Sequence, residues 1–256
     1  MRSGTGPPRT ASSVALVGSD APRVLFDASP DLRIQYASHL AHRSSSSRNP
    51  FDAVCITHAH MGHYAGLFHF GNEAAASTDI ALHADASVIA FLEANEPWRS
   101  LFTGGHMRGV PTDAPLVLRN VSISAVPVPH RDEFGATVAF SIAVDGQPWA
   151  LYLPDIDAWD QWDDADAVLA AHRVCLLDAT FGTHTELPDR DHRAMPHPPV
   201  LDTIERFAGL TRERQMILTH INHSNPVADP ASDLHRAALD AGFTVAFDGL
   251  EIAWTP

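Results

Sequence analysis

Short apolar runs separated by polar turns dominate the chain, and their spacing predicts strands alternating with helices. SVALVG (13–18) and RVLFDAS (23–29) have the apolar, β-branched character of opening strands. Residues 31–43 read as a helix and the polar SSSSRNP (44–50) as a loop. FDAVCIT (51–57) predicts a buried strand, HAHMGH (58–63) a turn, and YAGLFHFGNEA (64–74) a helix. DIALHAD (79–85) predicts a short strand, and 86–98 a helix ended by Pro97.

Farther along, LVLRN (116–120) and VSISAVPVPH (121–130) alternate as a hairpin does. ATVAFSIAVDG (136–146) and PWALYLPD (148–155) predict further strands, 164–172 a helix, and VCLLDAT (174–180) a buried strand. Residues 181–199 are polar and proline-rich, and a loop of that length in a compact domain is usually functional or disordered. A helix over 199–210, a strand over 216–220, a helix over 231–242 and a closing hairpin of TVAFDG with LEIAW (244–254) complete the reading. The β-rich then α/β succession occurs twice. It predicts the α/β class, with two sheets packed face to face and helices outside, a four-layer αββα sandwich. Residues 1–12 read as a flexible N-terminal arm and 13–256 as a single domain.

Composition narrows the function. The 256 residues carry 17 basic and 31 acidic side chains, a formal charge of -14. Such a surface repels phosphate backbones, so nucleic acid is not the expected partner. No apolar run is long enough to span a bilayer, which argues against membrane insertion. The opening MRSGTGPPRT has no apolar stretch behind its basic residue and does not read as a signal peptide, so the cytoplasm is the expected location. Two cysteines, Cys55 and Cys175, lie in apolar strand-like runs and suit core packing.

Histidine departs from the ordinary. There are 16, and several fall where apolar runs stop. His58, His60 and His63 follow directly on FDAVCIT, and side chains two apart after a strand can point the same way. His130, Asp155, Asp178 and His220 each close a later strand-like run. Sites in sheet-based enzymes gather at one set of strand ends. Neutral imidazole suits zinc, iron or manganese. A single histidine at a strand end is more often a hydrogen-bonded surface residue. Four such positions together with a triple-histidine turn point to a metal.

HAHMGH resembles the HxHxDH signature of the metallo-β-lactamase superfamily, and the resemblance covers nearly the whole chain. It implies that His58, His60 and His130 hold a first metal, that His63 and His220 hold a second, and that Asp155 bridges them. Two branches look similar. FDASPDLR, LLDATF and HINHSNP resemble the pyrroloquinoline quinone synthesis protein B group. The other branch contains RNase Z and a cyclic phosphodiesterase, and there a histidine of the long loop serves catalysis. His197 in AMPHPP falls in that place. Gly62 stands where the signature has aspartate. Its lack of a side chain should weaken the second site and leave one tightly held ion.

The implied activity is hydrolysis of an ester, phosphodiester or amide in a small-molecule or short peptide-derived substrate by a metal-bound hydroxide. His197 would protonate the leaving group, and Asp178 would orient a histidine. Arg131 could grip an anionic group of the substrate or make a structural ion pair. His223 could contact substrate, and His223 and Asn225 could fix His220 or cap the turn. Asp157, Trp159 and Trp162 could line the pocket or pack as core. One or two divalent metals are expected, zinc first, with iron or manganese as alternatives. A homodimer is left open. The alternative reaction is an iron-dependent hydroxylation, as the resemblance to the synthesis protein B group implies. A metal-binding scaffold without turnover is a third reading.

Overall fold

Apolar runs become strands of two to seven residues, and amphipathic stretches become helices. The computed structural model describes residues 9–18, 21–41, 49–186 and 196–254. Among these are twelve strands and seven α-helices. The chain clusters into two compact units. An N-terminal unit holds residues 10–127 and 131–146, and a C-terminal unit holds Arg9, 128–130 and the chain from 147 onward.

In the N-terminal unit, β1 (Val14–Leu16), β2 (Val24–Phe26), β3 (Ala53–Cys55), β4 (Ile80–Ala84) and β5 (Met107–Pro111) form one sheet in that order. β1 is antiparallel to β2, and the other pairs are parallel. β2, β3 and β4 are buried along their whole length, which is why their sequences are apolar throughout except at His83 of β4, rather than alternating. α1 (Leu32–Gln35) runs on as a π-helical turn over Tyr36–Leu40. α2 (Met61–Tyr64) runs on as 3-10 turns over Ala65–Phe70. α3 (Ala86–Ala94) starts at Asp85, whose carboxylate accepts from the Ser87 amide at 2.8 Å, and α4 (Arg99–Thr103) follows. Leu25, Phe51, Ile56, Leu67, Phe70, Leu82 and Leu92 form the buried core under these helices. β6 (Leu116–Leu118), β7 (Val121–Pro127) and β8 (Val138–Val144) make an antiparallel run, and Phe140 of β8 meets Phe26 at 5.8 Å between ring centroids.

In the C-terminal unit, β9 (Gln147–Leu153), β10 (Val174–Asp178), β11 (Gln215–Thr219) and β12 (Thr244–Val245) pair in sequence order, all parallel. α5 (Ala165–Ala171), α6 (Val200–Phe207) and α7 (Asp233–Asp240) carry their apolar stripes inward. Trp159 is buried against Phe207 at 4.9 Å and donates its indole proton to Thr203 Oγ1 at 2.9 Å. Leu177 pairs with Leu153 and Asp178 with Thr219, so these parallel strands stop level with one another. Residues just past those ends therefore come to a common edge.

Four expectations change. The segment 58–63 is not wholly a turn, because α2 begins at Met61 with His60 at its N-cap. Turn and helix overlap where His63 N bonds back to His60 O at 2.9 Å. The helix read over 31–43 is a short α-turn followed by a π-turn as far as Leu40. No closing hairpin forms among the described residues: β12 joins β11 in parallel, and Leu250 N turns back onto Phe247 O at 3.0 Å. α4 and β5 have no counterpart in the sequence reading. Gly104, Gly105 and Pro111 punctuate that stretch and hide its period. Residues 1–8 of the expected arm lie outside the described residues, whereas Ala11 N bonds Asp31 Oδ2 at 2.9 Å.

Candidate functional site

The parallel pairing of β2 with β3 brings Asp27 beside Thr57, and each unit can be built up from one buried aspartate. Asp27 is fully buried and takes a left-handed backbone, φ 58°, as β2 ends. Its Oδ1 accepts from Thr57 N at 2.9 Å, and Thr57 Oγ1 donates to the carboxylate at 3.0 Å. His63 Nδ1 meets Asp27 Oδ2 at 2.8 Å. α2 reaches this close because Gly66 has no side chain: a Cβ there would stand 2.0 Å from Ser29 O.

The proton inventory fixes the rings. Thr57 spends its one hydroxyl proton on the carboxylate, so at 3.0 Å His58 Nδ1 must donate to Thr57 Oγ1. His58 Nε2 then carries a lone pair. His60 Nε2 faces Glu133 Oε2 at 3.1 Å, and the hydrogen bond from His60 holds the Glu133 carboxyl below its ordinary range. In the neutral ring His60 Nδ1 also carries a lone pair, and it lies 2.8 Å from His58 Nε2. Two ring nitrogens that converge in this way can share a proton or bind one cation together. The donor set of this unit thus fits a metal such as zinc.

In the C-terminal unit the buried aspartate is Asp178 at the end of β10. Its Oδ1 accepts from Thr180 N at 2.9 Å and Thr180 Oγ1 at 2.7 Å, and its Oδ2 from Ile156 N at 3.1 Å. His197 Nδ1 meets Oδ2 at 2.7 Å. Thr180 Oγ1 also stands 2.8 Å from His220 Nδ1. His220 follows β11 directly and is left-handed, φ 54°. His130 Nδ1 is held by Asp157 Oδ1 at 2.8 Å, which leaves His130 Nε2 facing Asp155 Oδ1 at 3.9 Å. His220 Nε2 faces Asp155 Oδ2 at 3.4 Å. Asp155, buried just past β9, has an imidazole Nε2 turned toward each of its oxygens. That arrangement suits cations. Asp155, Asp178 and His197 also bring ligand-capable atoms within 4.8 Å of one another.

A cavity of about 230 Å³ opens beside this group, with Phe181, Pro196 and Pro199 as its apolar wall and Asp157, Thr183, His184 and His197 as its polar groups. His197 is buried except for a thin edge, and its ring lies 5.5 Å from His130 and 6.1 Å from His220. His184 is exposed and pairs with Asp202 at 3.4 Å.

The remaining predicted residues fall as follows. Arg131 lies 3.7 Å from Glu133 in a half-exposed ion pair. His223 is exposed. Asn225 caps the following turn, accepting from Val227 N at 2.9 Å and donating to Ala179 O at 2.8 Å. Trp159 and Trp162 are core residues, whereas Asp157 both lines the cavity and holds His130. Cys55 and Cys175 are buried, and burial pushes the Cys175 thiol up to about 12. His192, another histidine of the long loop after β10, lies outside the described residues. Sequence reasoning missed Asp27, Thr57, Thr180 and the bond from His60 to Glu133. Asp27 was open to discovery, since it closes an apolar strand as Asp155 and Asp178 do. The threonines carry no signal beyond standing next to those residues.

A model of the beta-lactamase superfamily domain matches residues 22–221. The chain belongs to the beta-lactamase superfamily. Within that superfamily it is similar to coenzyme PQQ synthesis protein B of Methylobacterium sp. (strain 4-46), at 31% identity over 270 residues covering 96% of this chain and 88% of that protein. Its fold matches a zinc-bound PqqB from Methylobacterium extorquens with a TM-score of 0.83 and 23% identity, over 97% of this chain and 89% of that one. A diphosphatase from the PhnP family matches with a TM-score of 0.67 and 21% identity, over 94% and 83%. The fold is the metallo-β-lactamase fold, of α/β class with mixed sheets and helices, as HAHMGH and the strand pattern led us to expect.

Proposed function

We propose that the protein is a metal-dependent hydrolase that cleaves an ester, phosphodiester or amide bond in a small-molecule or short peptide-derived substrate. The observation that carries this reading is the bond from His197 Nδ1 to Asp178 Oδ2, 2.7 Å, at the wall of a cavity. The proposed ligands are His58, His60 and His63 in the N-terminal unit and His130, Asp155 and His220 in the C-terminal unit. Zinc is the proposed metal, with iron or manganese as alternatives. A divalent ion on such ligands supplies a Lewis acid and draws the pKa of a coordinated water toward neutrality.

The chain's own residues do the rest. Asp178 accepts the Nδ1 proton of His197 and so leaves Nε2 as the atom at which a proton is held or released. His197 protonates the leaving group from that atom. Asp178 compensates the positive charge of the protonated ring and keeps its plane fixed. Phe181, Pro196 and Pro199 exclude water from the cavity around it. Arg131, half-exposed beside Glu133, is proposed to meet an anionic part of the substrate, and His223 to contact substrate from its exposed position. The charge of -14 argues for a small substrate and against a nucleic acid.

A second reading, iron-dependent hydroxylation, is favoured by Gly62, which offers no carboxylate at the turn, and by the similarity to coenzyme PQQ synthesis protein B. Metal analysis of anaerobically purified protein, with ester hydrolysis set against oxygen uptake, separates the two.

The test of the leading reading compares two variants by metal content and rate. His197→Ala should keep its metal and lose about 10²–10⁴-fold in turnover, the usual worth of a positioned acid. His60→Ala should lose metal. A metal-free His197→Ala protein would make His197 a ligand, and a fully active one would leave it without a role in the reaction.

A further inference from the structure

We infer that Thr180 is a positioning residue whose hydroxyl selects the ring orientation and tautomer of His220. Its Oγ1 lies 2.7 Å from Asp178 Oδ1 and 2.8 Å from His220 Nδ1. A hydroxyl has one proton, and a carboxylate oxygen can only accept. The threonine proton goes to Asp178, so His220 must donate from Nδ1. In the neutral ring its Nε2 is left with the lone pair, aimed toward Asp155 Oδ2 at 3.4 Å. A ring turned over about Cβ–Cγ would instead set a carbon, Cδ2, against the threonine oxygen and lose that bond. Thr180 therefore rejects both the flipped ring and the Nε2–H tautomer.

The same device stands independently in the other unit, where Thr57 Oγ1 donates to Asp27 at 3.0 Å and receives His58 Nδ1 at 3.0 Å. In both cases the threonine amide also binds the same carboxylate, at 2.9 Å, so the hydroxyl is held from two sides. Thr180 has a second consequence. Asp178 serves His197 directly and His220 through Thr180, so one carboxylate sets two imidazoles.

The part of this inference that concerns metal rests on the proposal that His220 is a ligand; the part that concerns the tautomer does not. The experiment reads the two separately. Nitrogen-15 spectra of histidine-labelled, metal-free protein report the tautomer of His220, assigned by its loss in His220→Asn. Titration with zinc against a chromogenic chelator reports affinity. The unmodified protein and Thr180→Ser should show the Nδ1–H form. Thr180→Val, which keeps the shape and removes the donor, should shift His220 toward Nε2–H and weaken zinc by about 10–100-fold, the usual effect of losing such an outer partner. Thr180→Ala does the same job if the valine variant does not fold. An unchanged tautomer in the folded valine or alanine variant overturns the inference. A changed tautomer with unchanged zinc affinity upholds it and strikes His220 from the proposed ligands.

Discussion

The two units solve one problem with one device and then diverge. Each buries an aspartate at a strand end, gives its carboxylate a threonine amide and hydroxyl, and orients one histidine directly and another through the hydroxyl. In the N-terminal unit the directly held ring is His63, on the buried side of α2. In the C-terminal unit it is His197, on the wall of a cavity. The difference lies in what delivers the ring. His63 arrives on a helix pressed onto the chain by Gly66, whereas His197 arrives on a loop between prolines. A ring delivered by a packed helix is suited to holding a metal. A ring at a cavity edge can meet substrate and exchange a proton.

The largest effect should come from breaking the packed half. Gly66→Ala places a methyl group 2.0 Å from Ser29 O, so backbone must move, at a cost of about 3 kcal/mol. Urea unfolding should show the loss, and a variant as stable as the parent would mean that helix delivery is not what fixes His63. A smaller change sharpens the contrast at Gly62. A Cβ there meets nothing within 4 Å, so Gly62→Asp should be tolerated and should supply the carboxylate that the turn lacks. Zinc titration should then show the second equivalent bound about tenfold or more tightly, in line with an added hard ligand. Two equally tight equivalents in the unmodified protein would cancel the significance given to this glycine.

The smallest effect is a shared acid sensitivity. His83 in the N-terminal unit and His172 in the C-terminal unit are both buried, and loss of solvation pushes both below the ordinary 6.5. Folding favours their neutral forms. That contribution is complete above the unfolded value and is lost as pH falls through the folded values. Thermal midpoints of metal-free protein should be flat from about pH 8 to 7 and fall below about 6.5. His83→Asn and His172→Asn should each flatten that fall, and a midpoint unchanged down to pH 5 would contradict both assignments.

Strand ends were legible because burial forces continuous apolar runs, and a His or Asp that stops such a run is conspicuous. That logic marked His58, His60, His63, His130, Asp155, Asp178 and His220 as candidates. It also held for Asp27, which passed unnoticed because no histidine stands next to it in sequence. Thr57 and Thr180 were illegible for a different reason: a hydroxyl relay is defined by proton direction among three groups, and composition carries none of that. β5 was lost because glycine and proline interrupt its pattern, and the closing hairpin was wrongly expected because Leu250, Ile252 and Trp254 alternate without a partner strand to receive them.

His220 owes its direction to the main chain before any side-chain rotamer is chosen. At φ 54° the Cα–Cβ bond leaves the strand along a line that an extended residue cannot reproduce. Anyone grafting this constellation onto another scaffold would have to copy that dihedral together with the imidazole. A histidine placed on an ordinary strand end would carry the right chemistry and point it elsewhere.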